Sequence, residues 1–384
     1  MRRIVVVLGL VLAPSVAQAY PQFQLSTGAT RCNACHYAPA GGGLLNGFGR
    51  GEVGDTISMW GGDGALLHGL VKPPDWLAAG AEIRLAGAVN DNDAAAGTEV
   101  AAFPMQMDLL VRFQVGAFSL YANGGIRGLG REAEPHGADD TTNPEQTASS
   151  RFISREHYLM WRPQPQGWYA RAGRFFAPYG LRLVEHPTYV RRWLNFDTLQ
   201  ETYNLSGGFV SDEWELHLTA FTPDFFREAP GPDGSGGAVY YERRLGKTAT
   251  VGAQARVIVG DVDVRGGGGL VGKLYLPGPH LQLQAQLDVV YQSFDDFDGR
   301  TQLVGYLGGT WFAAKGLMAT LFLERFDEDL SLGQTARSAV GAELQWFPYA
   351  HFEVSLWGRI AMIGTGTDDG PLSEMVLLQL HYFL

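Results

Sequence analysis

Leu281-Gln-Leu-Gln-Ala-Gln-Leu-Asp-Val-Val-Tyr291 decides the fold. Leu281, Leu283, Ala285, Leu287, Val289 and Tyr291 share one parity, and Gln282, Gln284, Gln286 and Asp288 share the other. A period of two is a strand, because side chains alternate across the pleat. The pattern recurs. Trp214, Leu216, Leu218 and Ala220 oppose Glu213, Glu215 and His217. Val340, Ala342, Leu344 and Trp346 oppose Glu343 and Gln345, and Phe352, Val354, Leu356 and Ile360 oppose Glu353, Ser355 and Arg359. About sixteen such segments follow one another, within the size range of membrane barrels. They are 80–90, 104–114, 116–127, 151–162, 167–176, 200–210, 212–222, 237–245, 247–260, 264–275, 279–293, 299–313, 315–327, 336–347, 349–363 and 373–384. Most reach the roughly 9–11 residues that cross a bilayer at a tilt.

The connections carry a second signal. After even-numbered segments they are very short, as at Gly116, Ser211, Gly246, Ala314 and Pro348; after odd-numbered ones they are usually long, as at 128–150 and 177–199. Nearly every proline falls between segments, where a missing ladder donor costs nothing. Short turns on one rim and long loops on the other are the mark of an even-numbered membrane barrel. Val376, Leu378, Leu380, Tyr382 and Leu384 alternate to the last residue. The expected fold is therefore all-β, a transmembrane barrel of about sixteen antiparallel strands. A sheet in lipid must close, since an open edge leaves polar backbone unpaired.

Arg2 and Arg3, the apolar run Ile4 to Leu12 and Ala17-Gln18-Ala19 read as a secretory leader ending at residue 19. No later apolar run approaches the ~18 residues of a membrane helix. The reading is a leader at 1–19, a small segment at 20–79 and a barrel at 80–384, exported to the outer membrane of a Gram-negative cell and surrounded by its lipid. The formal net charge of −11 argues against a nucleic-acid binder.

Only two cysteines occur, both in Cys32-Asn33-Ala34-Cys35-His36. Two thiols at that spacing can form thioethers to the vinyl groups of one haem, with the adjacent imidazole on the iron. A redox dithiol needs a βαβ context, which is missing, and a zinc site needs two more ligands nearby. The expectation is one covalent haem c held by Cys32, Cys35 and His36. Met59 is the leading sixth ligand by position, with His68 next, and His186 if the haem lies inside the barrel.

Phe23, Thr27-Gly28, the Cys32–His36 motif, Leu45-Asn46, Phe48-Gly49-Arg50, Thr56 and Met59 carry a family resemblance. The stretch resembles the outer-membrane fused cytochrome–porins of iron-oxidising bacteria. The chain departs from the family at Gly51-Glu52-Val53 and in the Gly-rich spacer Ala38–Gly43. The resemblance implies haem attachment at Cys32 and Cys35, a proximal ligand at His36 and a porin-like barrel behind them. It further implies electron transfer across the outer membrane, from a donor such as extracellular Fe(II) to a periplasmic electron-carrier cytochrome.

In sixteen-stranded porins the third outer loop folds into the lumen. Here that loop is Ala177 to Asp197, dense in aromatics and arginines, and it is expected to fold inward. Asp108 and Arg112 are expected in the lumen. Arg182, Arg191 and Arg192 would suit anion selection. The rival function is therefore a diffusion porin, with the haem segment as plug, sensor or docking tag. A third reading makes the barrel a mere anchor for a periplasmic cytochrome. Acidic groups at Asp91 and Asp93, Asp139 and Asp140, Asp295, Asp296 and Asp298, and Asp327 to Asp329 could gather cations, though solvation alone explains each. Assembly into a homo-oligomer, such as the porin trimer, is an expectation of the class. Gly266 to Gly269 lies in a strand and is no phosphate loop.

Overall fold

The computed structural model describes residues 20–92, 97–126, 152–197, 200–224, 234–296, 298–332, 336–363 and 371–384. The expected leader lies outside them, as do Asp93, Asp139 and Asp140. Sixteen antiparallel strands close into one barrel. They are β1 (Leu77–Asn92), β2 (Gly97–Val115), β3 (Phe118–Ile126), β4 (Phe152–Trp161), β5 (Gly167–Phe175), β6 (Thr202–Val210), β7 (Trp214–Thr222) and β8 (Ser235–Arg244). There follow β9 (Ala249–Val259), β10 (Asp263–Leu276), β11 (Leu281–Phe294), β12 (Arg300–Ala314), β13 (Leu317–Asp327), β14 (Ala336–Trp346), β15 (Phe352–Ile363) and β16 (Pro371–Phe383). Closure runs through β16 against β1, with Glu82 opposite Phe383 and Leu85 opposite Leu380. The Leu384 N–H donates to Ala81 O at 2.8 Å, so the chain ends inside the closing ladder.

The period-two reading maps directly onto the wall. Gln282, Gln284, Gln286 and Asp288 of β11 are buried on the inside, while Leu287, Val289 and Tyr291 stand exposed outside. Leu109, Leu205, Leu270 and Leu321, on four other strands, are each exposed by more than 60 %. An apolar exterior of this extent belongs in lipid. Aromatic side chains ring the short-turn end. Trp168 packs on Phe209 at 5.1 Å, Phe209 on Trp214 at 5.0 Å, and Phe352 on Tyr382 at 4.8 Å. Such girdles mark the membrane–water interface.

Two boundaries differ from expectation. β1 starts at Leu77, three residues inside the stretch assigned to the N-terminal segment. β2 starts at Gly97, so Pro104 sits in mid-strand rather than at its start. The register slips there: Arg84 faces Gln106 but Leu85 faces Pro104, leaving Met105 without an opposite number. Such a bulge is where a residue lacking an N–H is tolerated.

The lumen is filled. Two pieces enter it: the first part of the segment 20–76, and the β5–β6 connection with its short helix α4 (Tyr189–Arg192). Wall residues that an open channel would wet are sealed, with Arg155 and Asp288 at 0 %, Glu215 and Glu242 at 1 % and Lys273 at 3 % exposure. Charges so buried must be paired. Lys273 holds Glu242 at 2.6 Å, Arg244 holds Glu215, Arg155 holds Asp108 at 3.3 Å, and Arg359 holds Glu324 at 2.9 Å. The expected inward fold of the third outer loop is observed. Tyr179 donates to Asp288 at 2.7 Å, the Leu181 N–H to Gln286 at 2.8 Å and the Tyr189 N–H to Glu324 at 2.5 Å. Arg191 folds back on its own loop, donating to the carbonyls of Leu183, Val184 and Phe196.

Candidate functional site

The N-terminal segment is built from single turns. They are α1 (Phe23–Ser26), α2 (Cys32–Cys35) and α3 (Gly47–Glu52), the last running into a wider turn at Val53–Ile57. Helices this short are not stable alone. Side-chain clamps and the barrel wall hold them instead. Asn46 caps α3 by accepting from Gly49 N at 3.0 Å, and its amide donates to Ala34 O at 2.8 Å and to Asn33 O and His36 O at 3.4 Å. The same residue thus starts one helix and ties down the cysteine turn. Gly49 lies against the Cys35 backbone, where any Cβ would collide with the carbonyl. Arg50 donates to Ala79 O at 2.5 Å, fastening the segment to β1.

The wall grips the segment along its length. Tyr20 donates to Glu353 at 2.5 Å, and Gln22 to Gln345 at 3.1 Å. Lys273 donates to Gln24 at 2.7 Å, Arg244 to Thr30 O at 2.9 Å, and Arg182 to Ala40 O. At the short-turn rim Arg31 meets Asp212 at 2.7 Å, Asn33 donates to Pro165 O at 2.7 Å, and the Met59 N–H donates to Phe347 O at 2.8 Å. The segment is a plug seated inside the periplasmic end.

Cys32, Cys35 and His36 line one cleft between plug and wall. Phe23, Leu45, Val53, Phe347 and Phe383 give it a largely apolar lining. His36 leaves α2 in extended conformation, and its Nδ1–H donates to Gly43 O at 3.3 Å. A backbone carbonyl on Nδ1 fixes the tautomer and leaves Nε2 as a bare metal donor. Burial pushes the imidazole down to about 4, so it is neutral at physiological pH. Burial also raises both thiols, Cys35 to about 12, and neither is in a disulfide. Protonated, apolar thiols are poor redox nucleophiles. Among the described residues no group of three or more His, Cys, Asp or Glu side chains could hold a bare metal ion. An apolar slot, two unpaired thiols and an oriented imidazole fit a covalently attached haem c.

The structure does not bring the expected sixth ligands to this cleft. Met59 sits at the rim beside Gly316. His68 packs on His351 at 4.7 Å, outside the barrel mouth. His186 stays with its own loop, 3.6 Å from Asp197. The cleft is instead completed by wall residues that sequence reasoning passed over, above all His381 and Glu82. They sit on the polar parity of their strands, and nothing local separates them from any other lumen residue.

Above the inward loop a vestibule of about 1460 Å³ opens outward. Among the described residues, Arg192, Arg256, Arg265, Arg300 and Arg337 line it with Asp263 and Glu328. Glu328 is paired with Arg300, Asp327 lies 3.8 Å from Arg325, and Asp329 accepts from Ser331. An aromatic series leads down from the vestibule. Tyr179 stacks on Phe196 at 5.3 Å, Phe196 meets Phe176 at 6.0 Å, and the adjacent Phe175 meets Tyr158 at 5.7 Å. Tyr158 stacks on Tyr121 at 4.9 Å, and the Tyr121 hydroxyl abuts Gly43, whose carbonyl holds His36.

Known structures share the barrel. OprB of Pseudomonas putida is similar with a TM-score of 0.61 and 9 % identity, covering 80 % of this chain and 94 % of that one. The fold is that of an outer-membrane porin. An anion-selective porin from Comamonas acidovorans gives a TM-score of 0.60 at 11 % identity, over 80 % of this chain and 99 % of the other. OmpT of Vibrio cholerae, in a trimer form, gives 0.57 at 9 % identity, over 81 % and 100 %. At such identities the likeness concerns the barrel alone. No protein-family model and no curated protein matches the sequence.

Proposed function

We propose that this porin-type barrel carries one covalent haem c in its sealed lumen and moves electrons across the outer membrane. The observation that carries the reading is the Cys32–His36 motif, oriented in an apolar cleft inside a lumen occupied by the plug and the inward loop. Cys32 and Cys35 would hold the haem by thioethers and His36 would ligate its iron. Haem c, when attached, supplies a one-electron iron couple whose potential follows its ligands and burial. The chain's own residues do the rest. Asn46 and Gly43 orient the attachment turn, the plug contacts exclude water, and the aromatic series leads from the outer face to the proximal histidine.

The vestibule bears on the donor. Among the described residues, five arginines and two carboxylates line the vestibule, a net positive balance that repels a bare divalent cation and attracts anions. A donor such as Fe(II) would therefore arrive as an anionic chelate, with a periplasmic cytochrome as acceptor at the plugged end. The test uses sealed proteoliposomes of known orientation, with haem absorbance followed after a chelated Fe(II) donor is added outside. Reduction without solute leakage supports the conduit.

The second reading is a diffusion porin gated by its plug. The likeness to porins and the polar wall favour it. Rapid flux of small anions through the same liposomes, with no haem reduction, would make it the better account.

A further inference from the structure

The cleft has one imidazole from the plug, His36, and one from the wall, His381 on β16. Three features set His381 apart. It is 3 % exposed, so its ring is committed to the interior. Its Nδ1–H donates to Glu353 Oε2 at 2.8 Å, and Glu353 is itself pinned by Tyr20 at 2.5 Å and Gln345 at 2.9 Å. Its Nε2 has only a long contact, 3.4 Å from Glu82 Oε2, against the 2.8 Å bond on Nδ1. A carboxylate held close on Nδ1, with only a long contact on Nε2, is an arrangement by which proteins orient a metal-ligating histidine. Glu82 has its own partner, with Arg84 Nη2 also 3.4 Å from Oε2. His217, buried on β7, does not line the cleft, and its nitrogens meet Tyr169 at 2.6 Å and Glu215 at 3.3 Å.

We infer that His381 is the sixth ligand of the haem whose proximal ligand is His36. The assignment rests on the haem reading above. It makes the cofactor a bridge, bound covalently to the plug and coordinately to the barrel wall. The plug could then neither leave nor rotate while the haem is in place. It also makes the site a bis-histidine centre, which has a lower potential than a histidine–methionine one.

The test begins with the wild-type protein in detergent. Covalent haem is quantified first by pyridine haemochrome, and near-infrared magnetic circular dichroism then identifies the axial pair. A bis-histidine band is expected, while a histidine–methionine or high-spin spectrum overturns the assignment. His381→Ala is expected to become high-spin and to bind carbon monoxide when reduced, with added imidazole restoring the low-spin spectrum. His381→Met is expected to raise the midpoint potential. An unchanged low-spin bis-histidine spectrum in haem-loaded His381→Ala overturns the assignment and leaves the haem reading intact; it would reduce His381 to an ion-pair member between Glu82 and Glu353. Met59→Ala and His68→Ala serve as controls and should leave the spectrum unchanged. Absence of covalent haem from the wild type overturns the haem reading itself. The wild-type spectrum decides the matter even where a variant does not fold.

Discussion

Asn46→Ala should loosen the cysteine turn by an amount that follows from its contacts. The side chain caps α3 through Gly49 N at 3.0 Å, a role that costs about 1 kcal/mol when lost. It donates one well-formed bond to Ala34 O at 2.8 Å, again about 1 kcal/mol, and two long ones at 3.4 Å that add a fraction. The total is about 2–3 kcal/mol, or roughly 30- to 150-fold in the local opening equilibrium. The barrel should not notice, because none of these bonds reaches a strand. Amide hydrogen exchange in detergent micelles reads this directly, since local opening is measured segment by segment. Peptides covering residues 32–52 should exchange faster by that factor, with β11 and β16 unchanged. Asn46→Ser keeps a capping oxygen but cannot reach the three carbonyls, so about half the effect should remain. Unchanged exchange at 32–52 in Asn46→Ala would refute the idea that this residue holds the attachment turn.

Lys273→Met leaves Glu242 buried without its cation, a loss of about 3–5 kcal/mol; since Lys273 also holds Gln24, the plug should loosen, seen as new conductance in planar bilayers where the parent protein is nearly silent. Burial raises the Glu185 carboxyl in the inward loop, which costs stability once the pH exceeds the ordinary glutamate value of about 4.3. Glu185→Gln should therefore raise the unfolding midpoint at pH 8 and leave it unchanged at pH 4, checked by heat-modifiability on gels. Reduction by an anionic chelate should slow as salt screens the vestibule, and Arg337→Glu should weaken that salt dependence, measured by stopped-flow absorbance.

The barrel was legible because its signal is periodic. Gln282 to Asp288 needs no partner to show which parity faces inward, and sixteen repeats of that rule leave little choice of fold. The inward loop was legible from composition, since Tyr179, Tyr189, Trp193 and Phe196 would be costly on a free surface flap. Strand length was less so. The β1–β2 hairpin extends beyond the expected spans through small residues such as Ala101 and Ala102, whose weak hydropathy hides the alternation. The cleft was half legible. Cys32, Cys35 and His36 announce themselves by spacing, but His381 lies more than three hundred positions away and only barrel closure brings it to them. Met59 was attractive by its nearness in sequence. The turn after Val53–Ile57 carries it instead to Phe347 at the rim, where its backbone pairs with the β14–β15 connection.

The most direct test of the central claim is the intact mass of the mature protein purified from a host that attaches c-type haem. The expected mass is that of the polypeptide plus one haem, falling to the bare polypeptide in a Cys32→Ser, Cys35→Ser double variant that still folds as a barrel. A wild-type protein with the mass of the bare chain and two titratable thiols would contradict it and leave a plugged porin.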